Sequence, residues 1–199
     1  KDYDRIDVDA FIPDQQPVAP AEQTAYYELG PEEDDQNKAI LAQGWVLGKF
    51  DEMAENLAFS VLSETLCGSN ESPLTKALLD DDLAEDVELS FIDGMQQQMA
   101  LLIVRNTDPD RKERIWSRVT GTLSALAENG LDHKRLHSVL NNLEFTTREK
   151  DFGSYPRGLV FAMNAMTTWL YGGDPALTFS YDACFKSLRE KIDAVSRDY

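Results

Sequence analysis

Met95-Gln96-Gln97-Gln98-Met99-Ala100-Leu101-Leu102-Ile103-Val104-Arg105 is the stretch on which the reading of the fold turns. Successive side chains of an extended strand point to opposite faces. Met99, Leu101 and Ile103 then share one face, and Ala100, Leu102 and Val104 the other. Both faces are apolar, so the segment reads as a strand covered on both sides. Just beyond it, Asp110 with Glu113 three residues on has the form of a reciprocal helix cap. Ile115, Val119, Leu123 and Leu126 follow at helical spacing, and Gly130 is a fitting stop.

Working outward toward the N-terminus, residues 39–50 (AILAQGWVLGKF) read as a second strand. Asp51 can cap the helix after it, which carries Met53, Leu57, Val61 and Thr65 and stops at Gly68. A short helix is expected over Pro73–Asp80. Toward the C-terminus, Asp132 starts a helix with Leu136, Val139, Leu140 and Leu143 inward. Pro156 starts another, with Leu159, Met163, Met166 and Leu170 as its inward stripe. The Met163, Met166 and Trp169 side chains on it are read as core rather than as a cofactor surface. Gly172-Gly173 breaks this helix. Asp174-Pro175 opens one or two more that run to the end. The expected class is α+β, a small, mostly antiparallel sheet packed against several helices.

Residues 1–37 differ from the rest. Pro13, Pro17, Pro20 and Pro31 and the acidic run Glu32-Glu33-Asp34-Asp35 mark an extended lead-in from a preceding domain, with one short strand expected at 24–29. Residues 38–199 are expected to form a single α+β domain. The chain opens on Lys1 rather than a methionine, as a fragment of a longer protein or a trimmed chain would.

The 199 residues hold 36 acids and 19 bases, for a net charge of −17. Such a surface repels nucleic-acid backbones and anionic membranes and suits a cationic partner such as a basic peptide; it also serves solubility. No apolar run approaches the ~20 residues that span a bilayer. Cys67 and Cys184 are too few for a disulfide scaffold, which favours a reducing compartment.

His133 and His137 lie four apart on an expected helix, the spacing of two zinc ligands. Where H-E-x-x-H places its general base, this chain has Lys134, followed by Arg135. A lysine repels the metal and cannot deprotonate its water, and two histidines leave zinc short of ligands. Ser138 and Ser154 lack a nucleophile elbow. Cys67 sits at a helix C-terminus, where the dipole disfavours a thiolate. In Phe152-Gly153-Ser154-Tyr155-Pro156-Arg157-Gly158-Leu159 the residues form a helix start with close packing at Gly158. Alternatively, Tyr155 and Arg157 contact a peptide or a neighbouring domain.

Three blocks carry a resemblance. The first is Ser72-Pro73-Leu74-Thr75-Lys76-Ala77-Leu78. The second runs from Glu128-Asn129-Gly130-Leu131-Asp132 to Leu143-Glu144-Phe145. The third is Gly153-Ser154-Tyr155-Pro156-Arg157-Gly158-Leu159 with Trp169-Leu170-Tyr171-Gly172-Gly173-Asp174-Pro175 after it. In order and spacing they resemble the second, non-catalytic domain of M16 family zinc metallopeptidases of the presequence protease subfamily. That resemblance implies a LuxS/MPP-like metallohydrolase fold and a clamshell of four such domains. It places zinc on an H-x-x-E-H helix of the first domain, outside this chain. Leu66-Cys67-Gly68-Ser69 is similar to the turn that follows that helix, and the ligand positions then fall on Phe59, Leu62 and Ser63.

The implied role is a chamber-forming structural domain of a zinc metalloendopeptidase that degrades unstructured peptides. No catalytic or metal-binding residue is expected in this chain. The implied partners are other domains of the same peptidase and unstructured peptides, with neither nucleic acid nor membrane. The alternative is a free-standing protein-interaction domain of the same fold. The bacterial cytoplasm is the expected location, with an organelle matrix as alternative. Two aromatic-rich surfaces are expected to be uncovered: Tyr26 with Tyr27, and Phe179 with Tyr181 and Phe185.

Overall fold

The computed structural model describes residues 6, 9, 12–150 and 152–197, with side chains through residue 194. Its elements are β1 (Ala39–Lys49), α1 (Met53–Cys67), α2 (Pro73–Asp80), β2 (Asp86–Ile92), β3 (Gln97–Thr107), α3 (Lys112–Asn129), α4 (His133–Arg148), α5 (Arg157–Trp169) and α6 (Tyr181–Arg197). Single 3₁₀ turns precede α3 and α6, at Pro109–Arg111 and Leu177–Phe179. The strands form one antiparallel sheet in the order β1-β3-β2. The fold is α+β, as expected.

β3 is the central strand, and its burial alternates: Gln98, Ala100, Leu102 and Val104 are buried against the helices. Their cross-strand partners include Leu41 on β1 and Val87 and Leu89 on β2. The other face is open. It carries Met99, Leu101 and Ile103 with Ile40 and Val46 of β1, both about half exposed. The expectation of a strand covered on both faces is thus corrected, because helices lie on one side only.

The parity of β3 changes at its end. Asn106 takes a left-handed backbone (φ 55°), and the β1 register slips there, with Ala39 opposite Thr107 but Ile40 opposite Arg105. The bulge absorbs one residue. Thr107 is therefore turned inward, where its Oγ1 donates to the Leu83 carbonyl at 2.6 Å.

β2 has no counterpart among the strands expected from sequence. It holds Val87, Leu89 and Phe91 on the helix side and Asp86, Glu88 and Ser90 on the open side. Arg105 bridges Asp86 and Glu88, each at 2.7 Å. Cross-strand pairing of this kind offsets the repulsion between two acids on one strand. The strand expected at 24–29 is absent; residues 12–38 carry neither helix nor strand. That segment is nonetheless tied to the sheet, with Asp14 accepting from Lys49 Nζ at 2.5 Å and from Gln96 Nε2 at 2.8 Å.

The caps show how local chemistry sets the helices. Asp132 accepts from the backbone N–H of Lys134 (2.8 Å) and Arg135 (3.4 Å), as a capping aspartate should. Asp51 and Asp110 do not cap: Glu52 and Arg111 occupy those positions, and Asp110 lies inside the 3₁₀ turn.

Two cores result. One joins the sheet to α1, α2 and α3 through Leu66, Leu74, Leu78, Leu102, Val104 and Ile115. The other joins α1, α4 and α6 through Val61, Leu140, Phe185 and Ile192. α1 serves both, so it is buried on more than one side. Above the second core, Glu144 accepts from Arg148 and Arg189, each at 2.7 Å.

Hydrogen bonds from Arg148, then from Arg189, hold the Glu144 carboxyl below its ordinary value of 4.5. A carboxylate whose folded pKa is depressed stabilises the fold above its unfolded pKa, and that stability is lost as pH falls through the folded pKa. Urea unfolding at neutral pH and below 4.5 should therefore show a larger acid loss in the wild type than in Glu144→Gln. Equal losses would remove this group from the acid response.

Candidate functional site: an uncovered helix face

α5 is set by its ends. Tyr155 N–H bonds to the Phe152 carbonyl at 3.0 Å, Pro156 stands at the N-cap, and Leu159 N–H reaches the Pro156 carbonyl at 2.9 Å. At the other end Gly172 takes a left-handed φ of 80°, and Gly173 lies so near Phe50 that an added Cβ would sit 2.5 Å from its ring. Thr168, buried, receives the Gly173 N–H at 3.0 Å and donates to the Asp174 carbonyl at 3.1 Å. Tyr171 stacks on Phe50 with ring centroids 5.4 Å apart. These contacts fasten the C-terminal end of α5 to the start of α1.

The stripe Leu159, Met163, Met166 and Leu170 was expected to face inward. It faces out: Met163 is 60% exposed, Leu170 65% and the neighbouring Trp169 64%. Helical spacing identifies an apolar face, but it does not say which molecule covers it. Phe161 extends the surface. Its ring meets Phe152 and Phe179 edge-on at 5.4 and 5.7 Å, and Phe179 is itself 42% exposed. Phe161 was missed because it lies off the stripe.

Tyr155 and Arg157 sit at the N-terminal edge of this surface, both exposed, with the Arg157 guanidinium 5.8 Å from the Phe152 ring centre. The close packing expected at Gly158 is not found, since a Cβ there would meet nothing within 4 Å. Of the aromatics expected to be uncovered, Tyr26, Tyr27 and Phe179 are exposed, whereas Tyr181 is half-buried and Phe185 is core. The 17-residue α6 turns Phe185 toward Leu140 and Val61.

The two histidines have different surroundings. His137 Nε2 lies 3.2 Å from Asp193 on α6. His133 Nδ1 is buried and finds no hydrogen-bond partner among the described residues. Arg135, between them, bonds instead to Ser72 Oγ (2.9 Å) and the Glu71 carbonyl (2.9 Å). No group of three or more His, Cys, Asp or Glu side chains able to hold a metal occurs among the described residues.

The positions aligned by resemblance with zinc ligands hold packing residues. Phe59 stacks on Phe91 with centroids 5.4 Å apart, Leu62 packs on the first core, and Ser63 bonds its own helix at the Ser60 carbonyl. Burial, partly offset by a hydrogen bond with Thr75, pushes the Cys67 thiol up to about 11, so it is not a thiolate at neutral pH. An unstructured reporter peptide should accordingly survive incubation with this chain and added zinc. Metal-dependent cleavage abolished by His133→Ala would overturn that expectation.

The description "Peptidase M16 inactive domain" fits residues 7–143. Protein HypA of Clostridium perfringens is 30% identical over 200 residues, which take in 100% of this chain and 20% of that protein. Presequence protease 1, chloroplastic/mitochondrial, of Arabidopsis thaliana is 29% identical over 168 residues, 83% of this chain and 16% of that protein. The chain thus spans about a fifth or less of the curated relatives it matches. Among solved structures, the inactive peptidase domain of a Bordetella parapertussis protein described as a zinc protease superposes with a TM-score of 0.64. It is 16% identical and covers 79% of this chain and 82% of its own. A Bordetella pertussis protein with the same description gives 0.59 at 16% identity, covering 74% and 78%. The fold and the family match agree, and the chain belongs to the inactive-domain family of the M16 peptidases.

Proposed function

We propose that this chain is the chamber-forming, non-catalytic domain of a larger zinc metalloendopeptidase that degrades unstructured peptides. The zinc would sit in another domain of the same protein. The observation that carries the reading is the uncovered α5 face. Leu159, Met163, Met166, Trp169 and Leu170 project from one helix, and Phe161 and Phe179 continue the surface. Soluble monomers rarely leave contiguous apolar patches beyond a few hundred Å2 unless they meet a partner. A neighbouring domain would cover this face, with Tyr155 and Arg157 as polar contacts at its rim. The lengths of HypA and of the presequence proteases, several times that of this chain, favour a neighbouring domain over a free-standing interaction module.

The test is reassembly from separate pieces. This chain and the remainder of the parent polypeptide, expressed apart, should each lack peptidase activity and recover it on mixing. Full activity of the remainder alone would remove the domain from the chamber.

A further inference from the structure

β1 has a long outer edge with none of the usual guards. It runs 11 residues and pairs with β3 alone. From Ala39 to Gly48 it holds no charge and no proline. Among the described residues, none hydrogen-bonds to its outward backbone groups. The opposite edge, β2, has 7 residues and carries Asp86 and Glu88. Shortness, charge and proline protect sheet edges, because unpaired N–H and C=O groups otherwise template a further strand.

The lead-in lies beside this edge, and its contacts give it a direction. Near the far end of β1, Asp14 accepts from Lys49 Nζ, and the Gln15 N–H donates at 2.5 Å to Oε1 of Gln97, the residue opposite Lys49. Near the other end, the Tyr27 hydroxyl donates to the Lys38 carbonyl. Between these, Glu22 pairs at 2.5 Å with Lys112, which opens α3 just beyond Thr107, the residue opposite Ala39. As the lead-in number rises from 14 to 27, the partner number falls from 49 to 38. Two antiparallel strands stand in that relation. The return is made by a turn at Gly30, whose carbonyl receives the Glu33 N–H at 2.9 Å, and by Asn37 at φ 53°.

The sequence of the segment suits a strand. Residues 21–29 hold no proline and no glycine, and Thr24, Tyr26 and Tyr27 belong to the types that strands favour. Tyr26 is 94% exposed, so pairing would give its ring a surface to cover. The segment is held here by side chains and is not yet hydrogen-bonded along its backbone. Exposed ion pairs contribute little, so such a strap can be released.

We propose that residues 21–26 are an exchangeable fourth strand. They zip antiparallel onto Lys38–Gln43 and guard the β1 edge against pairing with another chain. Pro17 and Pro20 limit the zipper on its far side, since each lacks a donor. The strap is separate from the α5 face and does not depend on the parent being a peptidase.

The test is residue-resolved amide hydrogen exchange on the 199-residue chain. Along β1, alternate amides point to β3 and away from it. The outward amides of Ala39–Gln43 should exchange at least tenfold more slowly than in an unstructured peptide, because the strap pairs with them. Thr24→Pro with Ala25→Pro removes one N–H of each parity from a segment outside the core. The outward set should then exchange at unprotected rates, with the β3-bonded set unchanged. Tyr27→Phe, which removes one pin, should speed the outward set severalfold. The proline variant should also self-associate at concentrations that leave the wild type monomeric in sedimentation. Outward amides unprotected in the wild type, or unaffected by the prolines, would overturn the proposal. Protection that rises with protein concentration would assign the edge to a second copy and overturn it too, and a proline variant that stays monomeric would overturn the guarding role.

Discussion

Truncating Leu140 to alanine is expected to destabilise the chain by about 2–5 kcal/mol. Leu140 is fully buried and forms the second core with Val61 of α1 and Phe185 and Ile192 of α6. The substitution removes apolar atoms from water-free contact and leaves a cavity that three helices must collapse to fill. α6 is most dependent on this contact, because its buried residues Phe185 and Ile192 both belong to that core. Chemical denaturation measures the loss, and hydrogen exchange should show α6 losing protection first. Leu170→Ala removes the same atoms from a side chain 65% exposed, and should change stability by no more than about 0.5 kcal/mol. Comparable losses from the two substitutions would mean that α5 is as firmly packed as α4.

What could be read from the sequence follows from how local each signal is. The expected bounds of α2, Pro73–Asp80, match a helix with a proline in its first turn. The start of α4 came from an aspartate that does cap its own neighbours. β2 was missed although Val87, Leu89 and Phe91 alternate correctly. Asp86 and Glu88 put two like charges on one face of the strand, and the partner that offsets them, Arg105, is 17–19 residues away. The change of parity at Asn106 was hidden for a similar reason, since a bulge is a property of pairing rather than of one strand.

The site was legible in part. The third resemblance block drew attention to Tyr155, Arg157 and the α5 that follows, but it could not say which side of α5 was wet. A helix stripe against a core and one awaiting a partner have the same pattern. Gln98 was less legible still. It stands in a run with Gln96 and Gln97, and strand register alone turns it inward.

Charging the α5 face should separate docking from folding. In the zinc peptidase proposed as the parent of this chain, Met163→Glu combined with Trp169→Glu is expected to lower peptide hydrolysis tenfold or more, with bound zinc unchanged. In this chain alone both positions are more than half exposed. The new carboxylates would stay hydrated, and stability should move by no more than about 0.5 kcal/mol per site. Against a neighbouring domain the same carboxylates would lose their water without gaining a partner, at a cost of several kcal/mol, and the interface would also lose two large apolar side chains. An interface held by such contacts opens long before either domain unfolds, so the effect would appear in activity and in domain dissociation rather than in the melting of this chain. The double mutant should therefore hydrolyse slowly, keep its zinc and release this domain more readily on limited proteolysis. Unchanged hydrolysis would show that the α5 face is not what joins this domain to the peptidase.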